Sequence, residues 1–115
     1  MSLLRGADAE TRALRHLQAQ GLKLVARNWH CRGGELDLVM CEAETLVFVE
    51  VRSRGRSDYG SAFESITARK QAHLVLAAQK FIAAHPAHAA RPMRFDAVAI
   101  EGDALEWLRD AFDAG

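Results

Sequence analysis

Asp37 and Glu50 are the residues of this 115-residue chain whose types and spacing point most directly to chemistry. Asp37 lies in Glu35–Cys41, where Leu36, Leu38 and Met40 alternate with Glu35, Asp37 and Val39. Glu50 lies in Thr45–Arg52, where Val47, Val49 and Val51 share one face. Both runs have the two-residue period of a strand. A hairpin turning symmetrically about Ala43-Glu44 sets Asp37 opposite Glu50 and Glu35 opposite Arg52, all four on one face. Leu36, Leu38, Val47, Val49 and Val51 then fall on the other face as core. Opposed side chains in such a pair have Cβ atoms roughly 5 Å apart, and like charges there repel. Two carboxylates held that close need a proton, an arginine or a cation between them. Mg²⁺ (or Mn²⁺) is the cation expected, because Mg²⁺ is content with one or two carboxylates plus water and phosphate oxygens. Such an ion polarises a phosphoryl group and acidifies a bound water. A structural ion pair bridged by Arg52 accounts for the same residues, and from the residues alone both readings stay open.

The elements that must position this pair follow from periodicity and breakers. Ala7 to Gln20 reads as a helix, with Ala13, Leu14 and Leu17 on one face and Gly21 at its stop. Leu22 to Trp29 is a first strand, and Arg32-Gly33-Gly34 a turn. The two strands carrying Asp37 and Glu50 follow. Ser53 to Gly60 is polar and holds two glycines, which predicts a loop. Ser65 to His85 is the longest helix, with Ile66, Leu74, Ala77 and Phe81 at helical spacing and Pro86 at its end. His85 to Pro92 connects to a strand over Met93 to Glu101, and Ala104 to Leu108 reads equally as a last strand or a helical turn. Short turns make the first three strands an antiparallel meander, and the long helix permits a crossover to a parallel neighbour. The expected fold class is therefore α/β, a mixed β-sheet flanked by helices in the order αβββαβ(β).

One domain spanning 1–115 is the natural expectation for this length. Half the residues are hydrophobic and 26% are charged, the balance of a soluble globular protein. The formal net charge is zero, which argues against strong non-specific attraction to nucleic acid. Arg52, Arg54, Arg56, Arg69 and Lys70 nevertheless gather as a basic group, and Glu101, Asp103, Glu106, Asp110 and Asp113 as an acidic one. Cys31 and Cys41 suggest no disulfide framework. No long apolar stretch is visible, so a cytoplasmic protein without membrane contact is expected.

The segments Gly34-Glu35-Leu36-Asp37-Leu38-Val39 and Val47-Phe48-Val49-Glu50-Val51-Arg52 resemble the YraN-like family of small bacterial proteins. Gly6, Ala9-Glu10, Asn28, Gly60, Lys70 and Arg94-Phe95-Asp96 extend the match along nearly the whole chain. That family resembles PD-(D/E)XK nucleases with the restriction-endonuclease-like fold, including archaeal Holliday junction resolvases. The resemblance implies a Mg²⁺-dependent endonuclease site in which Asp37 and Glu50 hold the ion and Glu10, on the first helix, completes it. It also implies a nucleic-acid partner, DNA more than RNA, and a homodimer able to cut two strands. Most such motifs end in lysine where this chain has Arg52. Arginine stays charged and cannot act as a base, although it stabilises phosphoryl charge. Lys70 is the residue expected to supply the missing amine.

Other residues have plainer readings. Glu10 is otherwise a solvent-facing helix residue. Arg54, Arg56 and Arg69 are candidate phosphate contacts, or a solvated loop and helix end. Trp29 and Trp107 are read as filling hydrophobic positions, Asp96 as pairing with a buried arginine, and His85 and His88 as exposed. Two other functions stand beside hydrolysis: a nucleic-acid-binding module of the same fold that does not cleave, and a protein-interaction domain whose acidic pair is only structural.

Overall fold

A computed structural model describes residues 2–54 and 62–114. Helix α1 (Ser2–Ala19) precedes strands β1 (Lys23–Cys31), β2 (Gly34–Glu42) and β3 (Thr45–Arg54); helix α2 (Ala68–Ala84) follows, then β4 (Met93–Glu101) and β5 (Ala104–Phe112). The five strands form one sheet in the order β1-β2-β3-β4-β5. The β3–β4 pair is parallel and the other three are antiparallel, so the expected meander and crossover are present. The last element, left open by the sequence, is a strand. Among the described residues no helix is long and apolar enough to cross a membrane.

Local chemistry sets the helix ends. Gly21 takes a left-handed φ of +98°. Its N–H donates to Gln18 O, and Leu22 N–H donates to Leu17 O at 3.0 Å. This paired closure satisfies the last carbonyls of α1 and packs Leu22 with Leu17 in one core cluster. At α2 the Thr67 hydroxyl accepts from Lys70 N–H at 3.2 Å. That cap starts the helix later than periodicity predicts, because 62–65 is a separate 3₁₀ turn.

The helices cover opposite faces of the sheet. Ala9, Ala13, Leu14 and Leu17 of α1 pack with Leu38, Met40, Val47, Val49, Val98 and Ile100. Leu74, Ala77, Ala78 and Phe81 of α2 pack with Leu36, Val39, Leu46, Phe48, Phe95 and Ala97. Trp29 meets Phe81 edge to face at 5.3 Å, a core position as expected. His85 and His88, expected to be exposed, are half-buried, because both rings stack on Phe81.

Leu36 departs from simple alternation. It was expected on the face of Leu38, yet it packs under α2 while Leu38 packs under α1. Its partner behaves alike: Arg27, paired with Leu38, reaches Thr11 on α1, whereas Trp29, paired with Leu36, packs under α2. Both strands change side-chain phase at the rung between these pairs, which holds Asn28 and Asp37.

Asp96 is fully buried at 0% exposure. It accepts from Arg94 Nε at 2.8 Å and Nη2 at 3.0 Å, from Trp107 Nε1 at 2.9 Å, and from Asp110 N–H at 2.9 Å. The pairing with an arginine read from the sequence is present, although Arg94 is half-buried and not the buried arginine expected, and it holds β5 across the register shift between Phe95 and Ala97. Removing one side of a buried, hydrogen-bonded charge pair typically costs roughly 3–5 kcal/mol. Asp96→Ala is expected to lose stability on that scale in urea unfolding; a loss within experimental error would show that the network is dispensable.

Candidate functional site

The register of the β2–β3 hairpin is the one the sequence predicts: Glu42 pairs with Thr45, and the ladder continues through Leu38 with Val49. The next rung would join Asp37 and Glu50. There the two strands part, because β2 changes phase while β3 continues straight beside β4 through Arg54. Val51 N–H is left facing the gap, and the Asp37 carboxylate fills it, with Oδ2 accepting at 3.0 Å. An acceptor for a strand N–H lies near the plane of the sheet. Asp37 is thereby reachable from both faces.

Glu50 projects to the α2 face and is 5% exposed. Lys70 Nζ and Arg52 Nη2 each stand 3.5 Å from the same Glu50 oxygen, Oε2. The Thr67 cap fixes Lys70 in the first turn of α2, so a helix terminus delivers the ammonium to the strand gap. Burial raises the Glu50 carboxyl from the ordinary 4.5 to about 8, with hydrogen bonding to Asp37 and its charge adding to the rise. Lys70 and Arg52 pull the other way and are outweighed. Burial and the neighbouring Asp37 thus favour a proton on Glu50, one of the three compensations such a pair requires.

Glu10 approaches from α1, on the other side of the sheet. Its Oε1 is buried without a hydrogen-bond partner, 4.0 Å from Arg27 Nε. Burial raises the Glu10 carboxyl, as does the charge of Asp37, while Arg27 and the Asn28 side chain oppose the rise. Glu10 is therefore half-buried at the edge of the pair and not the solvent-facing residue of the plain reading. Among the described residues no three His, Cys, Asp or Glu side chains form a group able to hold a metal ion by themselves. The structure thus joins Asp37, Glu50, Arg52 and Lys70, and sets Glu10 beside them within range of Asp37.

The remaining basic residues are more dispersed. Arg54 is half-buried at the end of β3, two residues beyond Arg52, and Arg69 is exposed at the start of α2. The loop expected over Ser53 to Gly60 begins later, since Ser53 and Arg54 continue β3 beside β4; Arg56 and Gly60 lie outside the described residues. Arg27 and Asn28 were not singled out as site residues. Asn28 is one of the positions that match the YraN-like family, whereas Arg27 sits in an ordinary-looking strand with no such signal.

The raised Glu50 carboxyl fixes a direction for stability. A carboxyl of higher pKa in the folded state holds its proton better there than in the unfolded chain. Stability is then full below the ordinary value of 4.5 and is lost as pH rises to about 8. Thermal melts of metal-free protein are expected to fall across that window, and Glu50→Gln, neutral throughout, to flatten the fall. An equal slope in the variant would place the proton elsewhere.

The chain is similar to a group of bacterial proteins along almost its full length. Residues 9–100 match the model of the uncharacterised protein family UPF0102. A UPF0102 protein of Pseudomonas putida (strain GB-1) is 53% identical over 113 residues, covering 94% of this chain and 92% of the relative. One from Stutzerimonas stutzeri (strain A1501) is 50% identical over 113 residues, covering 95% and 94%. One from Pseudomonas syringae pv. syringae (strain B728a) is 51% identical over 114 residues, covering 95% and 93%. This chain belongs to the uncharacterised protein family UPF0102, the YraN-like family that its two acidic strand motifs resemble.

Proposed function

We propose that the protein is a metal-dependent nuclease that hydrolyses phosphodiester bonds in DNA or RNA, DNA being the better candidate. The observation that carries this reading is the placement of Asp37 and Glu50 at the parting of β2 and β3, with Lys70 and Arg52 both on Glu50 Oε2. The donor set fits Mg²⁺ or Mn²⁺. Asp37 and Glu50 would hold the ion, with water and phosphate oxygens completing the shell, so no all-protein cage is needed. Glu10, with a buried oxygen lacking a partner, would accept from that shell or join it as third ligand. When bound, the ion supplies Lewis acidity and an acidified water.

The chain's own residues do the rest. With an ion bound, Asp37 and Glu50 would both serve it as carboxylates. Lys70 and Arg52, both beside Glu50 Oε2, would bear on phosphoryl oxygens, where preorganised positive charge stabilises the transition state. Lys70 carries the amine role of the motif lysine, and Arg52 remains a fixed charge. Arg54, Arg56 and Arg69 would contact the flanking backbone, and a homodimer would present two such sites to two strands.

A binding module without cleavage is the second reading. It is favoured by Arg52, a permanent guanidinium where hydrolysis calls for a group able to lose a proton. Calorimetric titration of Mg²⁺ and Mn²⁺ into wild type and Asp37→Asn separates the readings. The nuclease reading expects binding by wild type, its loss in Asp37→Asn, and metal-dependent cleavage of duplex or branched DNA. Lys70→Ala is expected to lower that cleavage by about 10²-fold, the usual scale for one charge-stabilising donor. Metal binding with nucleic-acid retention but no cleavage selects the module; no divalent binding in either protein removes the metal site.

A further inference from the structure

Asn28 adopts φ +52°, a left-handed backbone within a strand. The pairs Arg27 with Leu38 and Trp29 with Leu36 bracket it and set it across from Asp37. The side-chain phase of both strands changes at this rung. A left-handed residue interrupts the regular alternation of an extended chain, and asparagine tolerates that conformation better than most residues.

We propose that Asn28 is a positioning residue, whose left-handed backbone turns the facing Asp37 out of the β2 alternation and into the gap where its carboxylate meets Val51 N–H and the Glu50 side chain. Without the phase change Asp37 would follow regular alternation, its carboxylate would stand off the sheet, and Val51 N–H would lack its acceptor. Arg27 and Asn28 also both face Glu10. Arg27 stands 4.0 Å from its buried oxygen, and the Asn28 amide favours its charged form. One short stretch of β1 thus sets two of the three carboxylates. The consequence for catalysis rests on the proposed metal site; the positioning itself does not.

Two substitutions separate backbone from amide. Asn28→Gly keeps the left-handed conformation at no steric cost and deletes the amide. Asn28→Val opposes that conformation strongly, being β-branched. Amide hydrogen exchange at Val51, normalised to the slowest sheet amides, reads the Asp37 bond without any metal. Protection is expected to persist in wild type and Asn28→Gly and to fall by about tenfold or more in Asn28→Val, the scale of losing a bond to a charged acceptor. Mg²⁺ affinity is expected to fall by roughly tenfold in Asn28→Val, as for other outer-shell positions, and to survive largely in Asn28→Gly. Unchanged Val51 protection in folded Asn28→Val overturns the proposal, as does equal loss in the glycine variant. Should the valine chain not fold, Asn28→Ala, a milder obstacle, is read by the same criterion. Selective loss at Val51 in a protein that binds no Mg²⁺ would uphold the positioning role and remove the metal reading alone.

Discussion

The bond from Val51 N–H to Asp37 Oδ2 is the interaction on which the arrangement of the site depends. Where two strands part inside a sheet, each leaves backbone groups that must find partners or bear a desolvation cost. Here a side chain takes the place of the departing strand. The same bond fixes the carboxylate near the plane of the sheet, so groups from α1 and α2 can address it from opposite sides. Glu10 comes from one face, and Glu50, with Lys70 beside it, lies on the other.

Charge is distributed unevenly around this point. The two cations nearest the pair act on one oxygen of Glu50, and burial still prevails over them in setting its protonation. A buried carboxyl that keeps its proton while an ammonium stands 3.5 Å away is a site short of positive charge at its centre, not at its rim. The Asp96 cluster shows the opposite solution. Its guanidinium, indole and backbone donors all point at one carboxylate, and nothing more is called for.

Much of this was legible in the sequence, and the exceptions have physical causes. Alternation of Leu38, Met40, Val47 and Val49 against their neighbours gave the hairpin register, because one-residue slips would invert a buried face. That register brought Asp37 near Glu50, although the ladder ends one rung short, at Leu38 with Val49. The placement of Leu36 was not legible, since the phase change depends on a backbone dihedral at Asn28, a residue equally at home in a loop or a strand edge. The start of α2 was hidden by Ile66, which keeps helical spacing outside the helix. The last strand was ambiguous because Ala104–Phe112 is largely solvent-facing and interrupted by a register shift. Resemblance supplied the interest in Lys70, and geometry placed its ammonium beside Glu50.

The left-handed rung at Asn28 has a counterpart across the sheet. Asp110, in β5, has φ +53°, and β1 and β5 are the two outer strands. An outer strand normally offers a continuous row of unpaired N–H and C=O groups to any other extended chain. In this molecule each row is broken by a non-glycine residue wound the wrong way for pairing. Neither border of the sheet can be lengthened strand by strand along its full extent. A second chain laid along either border would have to break its pairing at these residues.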